Sequence, residues 1–106
     1  LKVSSPEINI RFRNVPDLML VSEEAEFYLQ LDTELYRVKA SARFVKGSGR
    51  VYISGYDATR GEGVALEKNN LVTFRPDATG QAVIEFTVSS RYGLPVKENV
   101  TIQVNQ

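Results

Sequence analysis

The chain has 106 residues, 13 basic and 13 acidic side chains, a formal net charge of zero, and no Cys, His or Trp. At this length a single domain over residues 1–106 is expected, burying roughly two thirds of the surface the unfolded chain exposes, enough for one core without disulfides or metal. Missing His and Cys remove the commonest general base, the commonest transition-metal ligands and the best thiol nucleophile, so no catalytic, metal or cofactor site is predicted. The balanced charge also argues against a dedicated nucleic-acid binder.

No apolar run is long enough to span a membrane, and no signal-like segment opens the chain. Its first residue is Leu1 rather than Met, which points to a processed or trimmed product.

Apolar residues recur with period two, and turn residues interrupt them every 8 to 12 positions, as in sandwiches and barrels. The first strand is expected from Glu7 to Arg13, with Ile8, Ile10 and Phe12 on one face. After Pro16 and Asp17, Leu18 to Val21 reads as a strand fragment or a sheet-crossing segment, and Ser22, Glu23 and Glu24 as a turn. Ala25, Phe27, Leu29 and Leu31 align on a third strand. Tyr36, Val38, Ala40, Ala42 and Phe44 align on a fourth, running from Tyr36 to Phe44. Lys46 to Gly49 then reads as a hairpin turn joining that strand to Val51 to Ser54.

Residues 55 to 63 contain three glycines and read as the longest loop, where a local function would sit. Val64 to Leu66 and Leu71 to Phe74 follow as short strands. Pro76, Asp77 and Gly80 make a turn before the alternation Ala82, Ile84, Phe86 and Val88. After Tyr92, Gly93 and Pro95, the last strand carries Val100, Ile102 and Val104. The sum is an all-β, immunoglobulin-like two-sheet sandwich of seven or eight mainly antiparallel strands, lacking the Cys pair and core Trp of antibody domains.

The run Thr73-Phe74-Arg75-Pro76-Asp77-Ala78-Thr79-Gly80, followed by Ile84-Glu85-Phe86-Thr87-Val88, resembles the last strands of bacterial immunoglobulin-like and cadherin-like domains. Over most of the chain, the order Ile8 to Phe12, Pro16, Phe27 to Leu31, Tyr36 to Phe44, Gly47-Ser48-Gly49, Leu66, Phe74, Ile84 to Val88 and Tyr92-Gly93 is similar to the TraQ-like proteins of Bacteroidota conjugative transposons. Ala40 and Ala42 depart from the more aromatic pattern of that family. The resemblance implies a non-catalytic, extracytoplasmic accessory protein of conjugative transfer, in the periplasm or at the cell surface.

On the predicted Tyr36 to Phe44 strand, Arg37, Lys39 and Arg43 point outward with Ser41, and Lys46 and Arg50 follow. This basic stripe fits an acidic partner, an anionic glycan or a nucleic acid, while the competing reading is cross-strand pairing with acids such as Glu85. The acidic series Asp17, Glu23, Glu24, Glu26, Asp32 and Glu34 lacks the close spacing of a calcium loop and reads as solvated turns. Tyr52, Tyr56, Arg60, Arg91 and Tyr92 are residue types enriched at binding hot spots, or else caps on the sandwich ends. The predicted partner-binding set is therefore Arg37, Lys39, Arg43, Tyr56, Arg60 and Tyr92, for an unidentified protein. The alternative is a glycan or receptor held by the Tyr52 to Glu62 region.

Overall fold

The computed structural model describes residues 7–106 of the chain. It is an all-β, two-sheet sandwich of immunoglobulin type. The strands are β1 (Asn9–Arg13), β2 (Leu18–Leu20), β3 (Ala25–Asp32), β4 (Lys39–Lys46), β5 (Gly49–Ile53), β6 (Tyr56–Asp57), β7 (Val64–Ala65), β8 (Asn69–Pro76), β9 (Gly80–Ser89) and β10 (Val96–Asn105). One sheet has the order β1-β3-β8-β5-β6 and the other β2-β10-β9-β4-β7. Among the described residues all pairings are antiparallel except β2 with β10, and the ten strands exceed the expected seven or eight because of short two- and three-residue ladders at the sheet edges.

The alternation of the sequence builds the core directly, because period-two apolar residues all fall on one face of a strand. Phe27, Leu29, Val72, Phe74, Val51 and Ile53 of the first sheet meet Ala40, Ile84, Phe86, Val88, Ile102 and Val104 of the second, all buried. Phe12, Phe27 and Phe86 form an aromatic cluster across the two sheets, with ring centroids 4.9 to 6.3 Å apart. Such tilted and edge-on packing suits the ring quadrupoles.

The chain changes sheet early. Asn14 takes a left-handed backbone (φ 63°), and β1 in one sheet gives way to β2 in the other. There β2 lies parallel to β10, but only alongside Gln103–Asn105. The rest of β10, from residue 96 to 102, has a strand neighbour on one side alone among the described residues.

Three expectations are corrected. β4 and β5 are not a hairpin: β4 pairs with β9 and β7, and β5 pairs with β8 and β6 in the opposite sheet. A bulge between Phe44 and Lys46 ends β4, and the chain crosses at Ser48, whose carbonyl accepts from the Asp77 amide at 3.2 Å. Both strands still bury alternate residues, now face to face instead of edge to edge. Second, the fourth strand starts at Lys39 and not at Tyr36. Arg37 has φ 56°, and Tyr36 is 81% exposed while Val38 is buried. Third, residues 55 to 63 are not an open loop but contain β6 and a 3-10 turn at Ala58–Arg60.

Candidate functional site

Four connections gather at one end of the sandwich: those between β3 and β4, β5 and β6, β7 and β8, and β9 and β10. The strand registers impose this, since Lys39 at the start of β4 lies opposite both Ser89 at the end of β9 and Ala65 of β7. Asn9 at the start of β1 lies opposite Asp32 at the end of β3. Leu94, Tyr36, Tyr56 and Tyr92, at 82, 81, 70 and 68% exposure, are the most exposed large apolar side chains among the described residues, and all four belong to these connections or their borders.

The segment after β5 is held by Asp57. Its carboxylate accepts from the Thr59 amide at 2.8 Å and from the Thr59 hydroxyl, capping the 3-10 turn. The same carboxylate pairs with Arg50 at 3.2 Å and Arg60 at 3.5 Å. The Thr59 hydroxyl and amide, and then the two guanidinium groups, hold its pKa below the usual aspartate value. Ala58, fully buried, anchors the turn to the core. Beside it opens a cleft of about 650 Å³ whose lining includes Tyr56, Asp57, Arg60, Glu62, Val64 and Glu67.

The predicted basic stripe is not one surface. Arg37 sits in the bend before β4, so it does not share the strand face of Lys39. Arg43 is opposite Glu85 in the ladder, and the two side chains pair at 2.9 Å. That hydrogen bond lowers the Glu85 pKa, and this pair is the cross-strand alternative that the sequence had left open. Lys46 donates to Gln81, and Arg50 lies in the other sheet. Tyr52 is half-buried, with Arg75 stacked 5.6 Å from its ring centre, so one of its faces is occupied.

What the fold does bring together is Arg37, Lys39 and Tyr92. The Ser90 hydroxyl donates to the Tyr36 carbonyl and accepts from the Tyr92 amide, both at 3.3 Å, tying the β3–β4 and β9–β10 connections to each other. Tyr56 and Arg60 line the cleft between β6 and β7 at the same end. Sequence reasoning missed Tyr36, read as a core residue, and Leu94, concealed in a Gly-Leu-Pro turn. The signal for Leu94 was an apolar residue with no strand to bury it.

The acidic series is dispersed. Glu23 accepts from the Leu20 amide and Glu24 pairs with Arg75 at the far end of the molecule, whereas Asp32 and Glu34 lie at this end.

No family model matches the sequence, and neither does any curated protein. Solved structures do match in fold. A conjugative transposon lipoprotein from Bacteroides eggerthii aligns with a TM-score of 0.80 at 11% identity, over 90% of this chain and 95% of that one. A lipoprotein from Bacteroides thetaiotaomicron aligns at 0.77 and 19% identity, covering 97% of this chain and 83% of the other. A conjugate transposon protein from Bacteroides vulgatus gives 0.76 at 12% identity, with 97% and 88% covered. At these identities the likeness establishes the shared fold.

Proposed function

We propose that the chain is a non-catalytic structural and protein-interaction module of the bacterial envelope, located outside the cytoplasm and accessory to conjugative transfer, of the TraQ-like kind. The observation that carries this reading is the near end-to-end superposition on a conjugative transposon lipoprotein, over 90% of this chain and 95% of that one.

The protein-facing surface on this reading is the cleft beside β6, where Tyr56 and Arg60 offer the side chains that dominate binding energies at interfaces. Arg43, neutralised by Glu85, belongs to the sheet. The test is affinity capture from envelope extracts of a Bacteroides strain carrying a conjugative transposon, with the native chain and a Tyr56→Ala/Arg60→Ala double variant as baits. Conjugation-apparatus proteins should be enriched by the native bait alone. Equal capture by both baits would remove the cleft from the reading, and absence of such proteins from both would remove the reading.

One observation favours a second reading. Tyr56 is 70% exposed beside Asp57, Arg60 and Glu62, an aromatic face flanked by polar groups as sugar rings require. A glycan ligand would bind the native chain in a glycan-array screen and lose binding on Tyr56→Ala.

A further inference from the structure

The two connections tied by Ser90 carry an unusual combination of side chains. With the strand residues that border them, these connections (residues 33–39 and 90–98) hold four cations, Arg37, Lys39, Arg91 and Lys97, against two acids, Glu34 and Glu98. None of the four is in an ion pair among the described residues, whereas Arg43, Arg50, Arg60 and Arg75 all are. Between these cations stand Tyr36, Tyr92 and Leu94, exposed to 81, 68 and 82%. The strand register keeps the group together: Lys39 is opposite Ser89, Val96 is opposite Val88, and Lys97 is opposite Thr87.

We propose that this end of the β4-β9-β10 sheet docks on the surface of an anionic phospholipid bilayer. Tyr36, Tyr92 and Leu94 enter the headgroup region, and Arg37, Lys39, Arg91 and Lys97 meet the lipid phosphates. Tyrosine suits that depth because its ring is apolar and its hydroxyl is polar, and basic residues near an anionic leaflet add attraction one by one. Leu94 decides between lipid and the other polyanions. An aliphatic side chain at the tip of a turn gains from leaving water for an acyl boundary, and gains nothing from a phosphate backbone or a carboxylate.

The charge distribution also sets a tilt. Among the acids of this end, Glu7, Asp32, Glu34, Glu62 and Glu67 lie before β1, at the end of β3 or in the connections that follow β3, β6 and β7, and Glu98 alone of them is on β10, so the β9–β10 side approaches the bilayer first. The inference stands on these loops alone and does not require the conjugation reading, so the two fail separately.

The chain contains no Trp, so Leu94→Trp provides a single reporter at the proposed point of entry. The measurement is Trp emission and co-sedimentation of the full chain with vesicles of phosphatidylcholine alone, or of phosphatidylcholine and phosphatidylglycerol in equal parts. A blue shift and sedimentation are expected with the mixed vesicles and not with phosphatidylcholine. Arg37→Glu/Arg91→Glu should lower partitioning by about tenfold or more at low salt. Arg11→Glu/Arg13→Glu, on the β1 edge of the opposite sheet, should leave it unchanged. Emission that stays at its aqueous position on mixed vesicles, or equal sedimentation of the Arg37/Arg91 variant, overturns the proposal. So does tighter binding of a single-stranded oligonucleotide than of the vesicles.

Discussion

Asn70 is 1% exposed and spends its whole amide on the backbone. Its Nδ2 donates to the Leu29 carbonyl at 3.0 Å and the Glu67 carbonyl at 2.8 Å, and its Oδ1 accepts from the Glu67 amide at 2.8 Å. The side chain therefore closes the β7–β8 turn and pins it to the end of β3. Asn70→Leu keeps the volume but strips partners from backbone groups that are shielded from water. A buried unsatisfied group costs about 1–3 kcal/mol, so a loss of about 3 kcal/mol in urea unfolding is expected. Asp57 gives a different signature. Its folded pKa lies below the ordinary 3.8, so the stability it contributes is complete above that value and is lost as pH falls through and below it. Asp57→Asn should lower the thermal midpoint at neutral pH, and the gap between variant and native chain should narrow by about pH 2.

At the level of elements, the passage from β4 to β5 depends on Gly49. Its φ is 149°, and a Cβ there would sit 2.2 Å from the Arg75 carbonyl oxygen in β8. Gly55, at φ 86°, has open space where its Cβ would be. Gly55→Ala should therefore cost about 1 kcal/mol for the left-handed backbone alone. Gly49→Ala should exceed it by at least about 2 kcal/mol, because backbone of both strands must separate. Comparable losses in parallel denaturant titrations would contradict this account.

The same region shows what the sequence could and could not reveal. The long alternation Ala82, Ile84, Phe86 and Val88 made β9 legible, because only one strand face could bury those residues. Val51 and Ile53 were equally legible as inward-facing. Their partner was not, since alternation is satisfied whether two strands lie side by side or face to face across a core. Tyr36 was misread because Arg37 adopts a left-handed bend that resets the phase after it. The candidate site was legible by residue type, in Arg37, Lys39, Tyr56, Arg60 and Tyr92. Its grouping was not, because the β3–β4 and β9–β10 connections meet only through pairing of strands far apart in the chain.

For the whole molecule, Phe12 links the two sheets. It belongs to β1 at the edge of one sheet, yet its ring centre lies 4.9 Å from that of Phe86 in the other. With one core shared by both sheets, residues 7–106 are expected to unfold as a unit, as small single domains do. Far-ultraviolet circular dichroism and tyrosine fluorescence should give coincident urea transitions. Phe86→Ala should shift both together by about 3–5 kcal/mol. Transitions that separate in the native chain would mean that the sheets melt independently.

The short parallel contact of β2 with β10 divides the last strand into two regimes of amide protection. Gln103 donates outward to the Asp17 carbonyl at 2.9 Å, and Asn105 accepts from the Val21 amide at 2.7 Å. By alternation along the strand, the amides of Lys97, Asn99 and Thr101 face the same way, beyond the reach of β2. In hydrogen–deuterium exchange those three should trade their protons orders of magnitude faster than Gln103, although all four lie in one continuous strand.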